Sequence, residues 1–190
     1  MKSPLYRSPL IYEKLIRVRL GKNFKKRLVL ISKLLRGKRA IELGCGSGHN
    51  SLFLDCSYTG FDMNKKFVRY GIKKKRNVAI GDVFDVPLNN YDSIIMIDIL
   101  HHLPDHKKLL KKALFTQKEV VVCEPFENHF NNRFVNIAFK KLSNWTDSDG
   151  INPPVAWYRK NKLKSFFKSF GKCDLYEIGE NIIAHYPNNL

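Results

Sequence analysis

Between Arg39 and Leu54 the chain reads RAIELGCGSGHNSLFL, and no other stretch limits the fold so strongly. A short apolar run carries Glu42, then Gly44, Gly46 and Gly48 follow within five residues, then an amphipathic segment begins. Glycines at that density let the main chain turn sharply and approach a ligand with no Cβ in the way. A helix starting just afterwards presents unpaired N–H groups. One such loop also serves as a plain strand-to-helix turn, so its surroundings decide the reading.

From Arg39 onward, strands and helices alternate. RAIEL reads as a strand, HNSLFLD as a short helix, YTGF as a strand, Asn64 to Lys75 as a basic helix and NVAI as a strand. YDSIIMID is continuously apolar, as expected of a strand covered on both faces. A helix from about Asp105 to Phe115 and the strand EVVVCE complete the series. This rhythm predicts a right-handed α/β arrangement, a three-layer Rossmann-like sandwich around a mostly parallel sheet. After Pro125 two helical stretches, 129–142 and 157–170, flank the loop SNWTDSDGINPP. CDLYEIG and IIAHYP, joined through Gly179, Glu180 and Asn181, read as an antiparallel hairpin that ends a seven-stranded sheet.

Ahead of the sheet, residues 11–36 read as helix broken near Gly21. Phe24, Leu28, Ile31 and Leu35 share one face, and Lys22, Lys25, Lys26, Lys33 and Arg36 fall largely elsewhere. Residues 1–40 hold 13 Lys and Arg against a single acidic residue, so most of the formal net charge of +17 sits there. The domain reading is therefore a basic helical arm, 1–37, packed on a core domain, 38–190. The arm offers a surface to an anionic partner, either a membrane or RNA, or else is a solvated cover for the sheet.

At 190 residues the chain is long enough for one substantial core. Its longest apolar run, SIIMIDIL, is too short to span a bilayer, and the first residues lack a signal-peptide apolar region. Cys45, Cys56, Cys123 and Cys173 are scattered without CxxC spacing, so neither a zinc site nor a disulfide framework is indicated. A cytoplasmic, reduced protein is expected, peripheral to a membrane if the arm binds one.

In an open α/β sheet, ligands sit beyond the carboxyl ends of the strands. Asp62 ends the second strand 18 residues after Gly44, placed to accept hydrogen bonds from a ribose diol, and Asp82 follows the third. A nicotinamide-binding domain explains the glycines and Asp62 but not Glu42, whose carboxylate would face a pyrophosphate. A cationic ligand suits it better.

With AIELGCGSG, YTGFDMN, IGDVFDVP, YDSIIMIDILHHLPD and VVVCEPF in order, residues 38–126 resemble the class I S-adenosylmethionine-dependent methyltransferases, in particular the small single-domain branch of type 11/25. The resemblance implies S-adenosylmethionine as cofactor and S-adenosylhomocysteine as product. Glu42, Gly44, Cys45 and Gly46 match the loop that receives the methionine part. Asp62 matches the acid on the ribose hydroxyls, with Met63 beside the adenine, and Asp82 and Val83 match the adenine edge and face. Asp98 to His102 match the loop bordering the methyl group, making Asp98 and His102 the candidate catalytic residues, with His101 beside them or packing the turn before Pro104. Methyl transfer from so activated a donor also proceeds by positioning alone.

The Asn152–Pro154 NPP resembles a motif of amino-group methyltransferases but lies after the fifth strand instead of the fourth. Cys123 lacks the setting of an RNA cytosine methyltransferase nucleophile. Trp145, Trp157 and Tyr158, with Phe130 and Phe134, fall where this family often builds its substrate cover or else are plain core, and Asn131, Asn132 and Arg133 are candidates to line the acceptor pocket. The leading reading is methyl transfer to a small-molecule or lipid-like acceptor. The alternatives are an RNA methyltransferase gripping phosphates with the basic arm, and a non-catalytic partner-binding subunit.

Overall fold

The computed structural model describes residues 8–126 and 158–188. Among these residues fourteen elements follow in order. Helices α1 (Pro9–Leu20) and α2 (Lys22–Leu34) precede strand β1 (Arg39–Leu43), a 3-10 turn (His49–Phe53), β2 (Ser57–Asp62), α3 (Lys65–Lys73) and β3 (Val78–Ile80). Then come β4 (Ser93–Ile97), a second 3-10 turn (Leu100–His102), α4 (His106–Phe115), β5 (Glu119–Pro125), α5 (Lys160–Lys168), β6 (Asp174–Ile178) and β7 (Asn181–Tyr186). The helix expected over 129–142 lies outside the described residues.

The seven strands form one sheet in the order β3-β2-β1-β4-β5-β7-β6. Pairings from β3 to β5 are parallel, whereas β7 runs antiparallel to both β5 and β6. The expected hairpin is there, with its second strand inserted beside β5. Strand order reverses between β1 and β4, the place where an open sheet leaves a crevice.

Side-chain alternation divides the core into two layers. Ile41, Leu43, Ile94, Met96, Val120, Val122, Ile182 and Ala184 point to one face, where they meet Leu109 and Leu110 of α4 and Leu163 and Phe167 of α5. Ala40, Ile95, Ile97, Val121, Cys123 and Ile183 point to the other, where Phe24, Leu28, Ile31 and Leu35 cover them. Period-two strands buried on both faces produce this pattern. The apolar face of α2 is thus structural.

Two local differences from the sequence reading matter for the site. The helix expected at HNSLFLD is a single 3-10 turn, because only five residues separate left-handed Gly48 from the extended Leu54. It is too short to cover the loop by itself. The break at Gly21 is real: with φ 52° and ψ −132° this position takes a conformation that suits glycine, turning α1 away from the axis of α2. Helix α1 then lies against the glycine loop and does the covering.

Candidate functional site

The carboxyl ends of β1, β2 and β4 open into a cleft with about 1100 Å³ of empty space, part of it continuous with solvent. Its walls come from the glycine loop (Gly44 to Ser47), His49 and Asn50 of the 3-10 turn, Asp62 to Asn64, Phe67, Val83, and Ile97 to Ile99 with His102 and Leu103. Helices α1 and α2 add Tyr12, Glu13, Ile16, Phe24 and Arg27.

Gly44 has φ 73°, and a Cβ there would lie 2.0 Å from Cδ1 of Ile99. The loop after β1 and the loop after β4 are therefore in contact through a position that admits only hydrogen. Asp62 holds the next turn: its Oδ2 accepts from the Gly46 N–H at 2.7 Å and its Oδ1 from the Asn64 N–H at 2.7 Å. That carboxylate is oriented at the cleft rim before any ligand arrives.

Glu42 is fully buried and does not itself line the cleft. Its Oε1 accepts from Asn50 Nδ2 at 2.7 Å, and its Oε2 accepts from the Tyr58 hydroxyl. Burial raises its pKa to about 7, against the pull of those two hydrogen bonds. The wall in front of it is Asn50, so Glu42 acts on the cleft through Asn50. Asp82 also stands back: its Oδ1 accepts from the Phe84 N–H at 2.9 Å, while the adjacent Val83 lines the cleft. Met63 is half exposed at the rim, and Cys45 is buried in the loop with its thiol pKa driven up by burial.

Asp98 has the left-handed φ of 54°, unusual for a residue with a side chain. Its N–H donates to the carbonyl of Cys123 at 2.9 Å. Its two carboxylate oxygens meet Arg27, Nη1 to Oδ1 at 2.9 Å and Nη2 to Oδ2 at 2.7 Å. Arg27 belongs to the basic helical arm and follows Lys25 and Lys26 in sequence, yet its side chain is 1% exposed. It also donates to Asn181 Oδ1 of β7 at 3.2 Å. Burial pulls its pKa down, but the charge of Asp98 outweighs that and leaves it raised.

A second network ties α1 to the glycine loop. Glu13 Oε1 accepts from the Ser47 hydroxyl at 2.6 Å, and both its oxygens meet Arg76. His49 Nδ1 lies 3.3 Å from Glu13 Oε2. Burial opposes ionisation of Glu13, but Arg76 and Ser47 overcome it and hold its pKa below the usual value. On the other side, buried Glu124 at the end of β5 accepts from the N–H groups of Ile99 (2.8 Å) and Leu100 (2.7 Å) and meets His101 Nδ1 at 2.6 Å. His101 is spent on that contact. His102, its ring centroid 4.1 Å from that of His101 and the two planes tilted by 40°, lines the cleft.

Sequence reasoning missed Glu13, Arg27 and Glu124. Each left a signal: Glu13 is the one acid among the first forty residues, Arg27 falls within the apolar stripe Phe24, Leu28, Ile31, and Glu124 ends an apolar strand as Glu42 and Asp62 do. Tyr158 lies outside the cleft among the described residues, with its hydroxyl 3.0 Å from His106 Nε2. The other proposed acceptor-pocket residues, between Phe130 and Trp157, lie outside the described residues.

The sequence profile of the methyltransferase domain matches residues 14–171. The chain belongs to the methyltransferase domain family. The match begins within α1 and runs past α5, so it takes in Arg27 and the parallel strands β1 to β5 but not β6 or β7. An S-adenosylmethionine-dependent methyltransferase from Thermotoga maritima superposes with a TM-score of 0.73 at 16% identity, covering 97% of this chain and 98% of that one. The magnesium protoporphyrin IX methyltransferase of Synechocystis PCC 6803, with bound S-adenosylhomocysteine, superposes at 0.59 with 14% identity, covering 86% and 82%. A fatty-acid O-methyltransferase from Mycolicibacterium smegmatis is 29% identical over 82 residues, 37% of this chain and 30% of that protein. The match therefore spans less than a third of that relative's length.

The cofactor of this family is S-adenosylmethionine, and the cleft fits it. A ligand with an ammonium and a sulfonium suits a site where Asp62, Asp98 and Glu13 line the walls and Glu42 lies behind them. A ligand carboxylate suits Arg27, the only Lys or Arg side chain among the described lining residues. The Nε of Arg27 is buried without a hydrogen-bond partner among the described residues. Gly44 and Gly46 keep the wall between these groups free of side chains.

Proposed function

We propose that this methyltransferase moves the methyl group of S-adenosylmethionine to a small, lipid-like acceptor. One observation carries the reading: charged groups collect at the strand ends, while the rest of the cleft is walled by Tyr12, Ile16, Phe24, Phe67, Val83, Ile97, Ile99 and Leu103. Those side chains suit an acceptor with substantial apolar surface. The partial similarity to a fatty-acid O-methyltransferase supports the same class.

In this reading the cofactor supplies a methyl group already activated on a sulfonium. Asp62 receives the ribose hydroxyls, Met63 and Val83 flank the base, and Arg27 with Asp98 fixes the end of the cleft beside Gly44. When bound, that sulfonium would pass its methyl to the acceptor's lone pair, with the neutral thioether of S-adenosylhomocysteine as the leaving group. An acceptor carboxylate has no proton to lose. An acceptor hydroxyl gives its proton to His102, the ring that borders the cleft. Most of the rate enhancement then comes from holding donor and acceptor in line.

Calorimetry with S-adenosylhomocysteine tests the cofactor half. Asp62→Asn should weaken binding by about tenfold or more, since hydrogen bonds to a charged group are worth roughly 1.5–3 kcal/mol. Wild-type affinity in that variant refutes the ribose assignment. A labelled-methyl transfer screen should give product with fatty acids or other lipids. Transfer to RNA alone refutes the acceptor reading.

A further inference from the structure

We infer that the outward face of α1, together with the exposed cations of α1 and α2, is a docking surface for an anionic lipid bilayer. The helix is apolar on two sides for two different reasons. Pro9 and Glu13 are buried, Tyr12, Ile16 and Leu20 are half-buried, and this side supplies cleft wall and core contacts. On the other side Leu10, Ile11, Leu15 and Val18 are 47%, 49%, 40% and 77% exposed. Ile11, Leu15 and Val18 stand at i, i+4 and i+7, so they form one outward row instead of a scatter of exposed side chains.

Cations are exposed on both helices of the arm. Lys14 and Arg17 are exposed on the same helix, and Lys22, Lys25, Lys26 and Lys33 are exposed on α2 around Val29, itself 41% exposed. An outward apolar row accompanied by exposed Lys and Arg is what a helix lying in a headgroup region requires: side chains enter the acyl boundary while cations meet anionic lipids. RNA uses the cations but gives four exposed aliphatic side chains nothing to contact. No helix among the described residues is long and apolar enough to cross a membrane, so the attachment is to the surface.

The placement has a functional sense. Tyr12, Glu13 and Ile16 line the cleft from the other side of the same helix, and a helix is about 10–12 Å across. A docked α1 therefore holds the cleft within one helix diameter of the bilayer. Docking depends on this surface and not on which acceptor is methylated.

The test is flotation of the full chain with vesicles of phosphatidylcholine alone, or with about one third phosphatidylserine. Wild type should float with the anionic vesicles at low salt and lose most of that binding near 1 M salt, where the Debye length is about 3 Å. Ile11→Glu with Val18→Glu should cut partitioning by tenfold or more. Lys14→Gln, Lys22→Gln and Lys26→Gln should each cut it roughly fivefold, and they keep the test open should the double variant not fold. S-adenosylhomocysteine affinity should be unchanged in all of them, which separates docking from the cofactor reading. The inference is overturned by absence of wild-type flotation, or by flotation that ignores these substitutions. It is equally overturned if the outward row proves to seat a second copy, seen as a dimer in lipid-free buffer that Ile11→Glu with Val18→Glu abolishes. Salt-dependent total-RNA binding without flotation reassigns the surface to nucleic acid.

Discussion

Replacing Arg27 by Met should be among the most damaging single changes in the chain, although the sequence places it in a lysine-rich helix. The guanidinium is 1% exposed and the Asp98 side chain 20% exposed, so removing the cation leaves a mostly desolvated carboxylate with its main partner gone. Removing one member of a buried ion pair costs about 3–5 kcal/mol. Asp98 keeps some access to water, which puts Arg27→Met near the lower end, about 3 kcal/mol. Asp98→Asn should cost more, because the charge it strands is the fully buried one, left with Asn181 Oδ1 and Cys123 Sγ. The double variant should cost much less than the two losses together, since no charge remains unpaired. Urea unfolding followed by circular dichroism on all four proteins gives the cycle. A loss below about 1 kcal/mol for Arg27→Met, or strict additivity in the double variant, refutes the buried-pair account.

Glu42 should make stability pH-dependent. Its pKa rises from 4.5 to about 7 on folding, so the folded state holds a proton that the unfolded chain has released. That contribution is fully present below pH 4.5 and is lost as pH climbs through about 7, by about 3 kcal/mol at most. Glu42→Gln should flatten this slope relative to wild type, and parallel unfolding curves at pH 5 and pH 8 refute it. Gly44→Ala should lose about 2–5 kcal/mol through its left-handed φ and the clash with Ile99, with partial recovery in the Ile99→Ala background. No recovery would mean that the backbone conformation alone is responsible. If His102 takes a proton from the acceptor, His102→Ala should slow turnover by roughly 10²–10⁴ without changing S-adenosylhomocysteine affinity, and a loss under about threefold points to positioning alone.

The sheet was legible because its signals are local. Period-two strands, a broken amphipathic helix at Gly21 and the glycine loop each state their conformation within a few residues. The site was legible only where one strand end carries its own carboxylate, as at Glu42 and Asp62. Glu42 illustrates the limit: its type and position were readable, but not that Asn50 and Tyr58 would enclose it behind the wall. Arg27 illustrates another. Counting charge along the chain grouped it with Lys25 and Lys26, whereas its fate depends on Asp98, 71 positions away. The loss of the expected helix after Gly48 was equally invisible, because what replaces it is α1, brought over the loop by Glu13 and Arg76 from 63 positions apart.

The contact between Arg27 and Asn181 also imposes an order of events during synthesis. The two residues lie 154 positions apart, and a ribosome adds about 5–20 residues per second, so on the order of ten seconds or more separates their emergence. Throughout that interval α2 carries Leu28, Ile31 and Leu35 without Ile183 to cover them, and its guanidinium lacks one of its two fixed oxygen-bearing partners. The strand that pairs with β5 and carries Asn181, β7, comes after all the other described elements in chain order. A nascent chain thus carries α2 without its Ile183 and Asn181 contacts until β7 has emerged and paired beside β5.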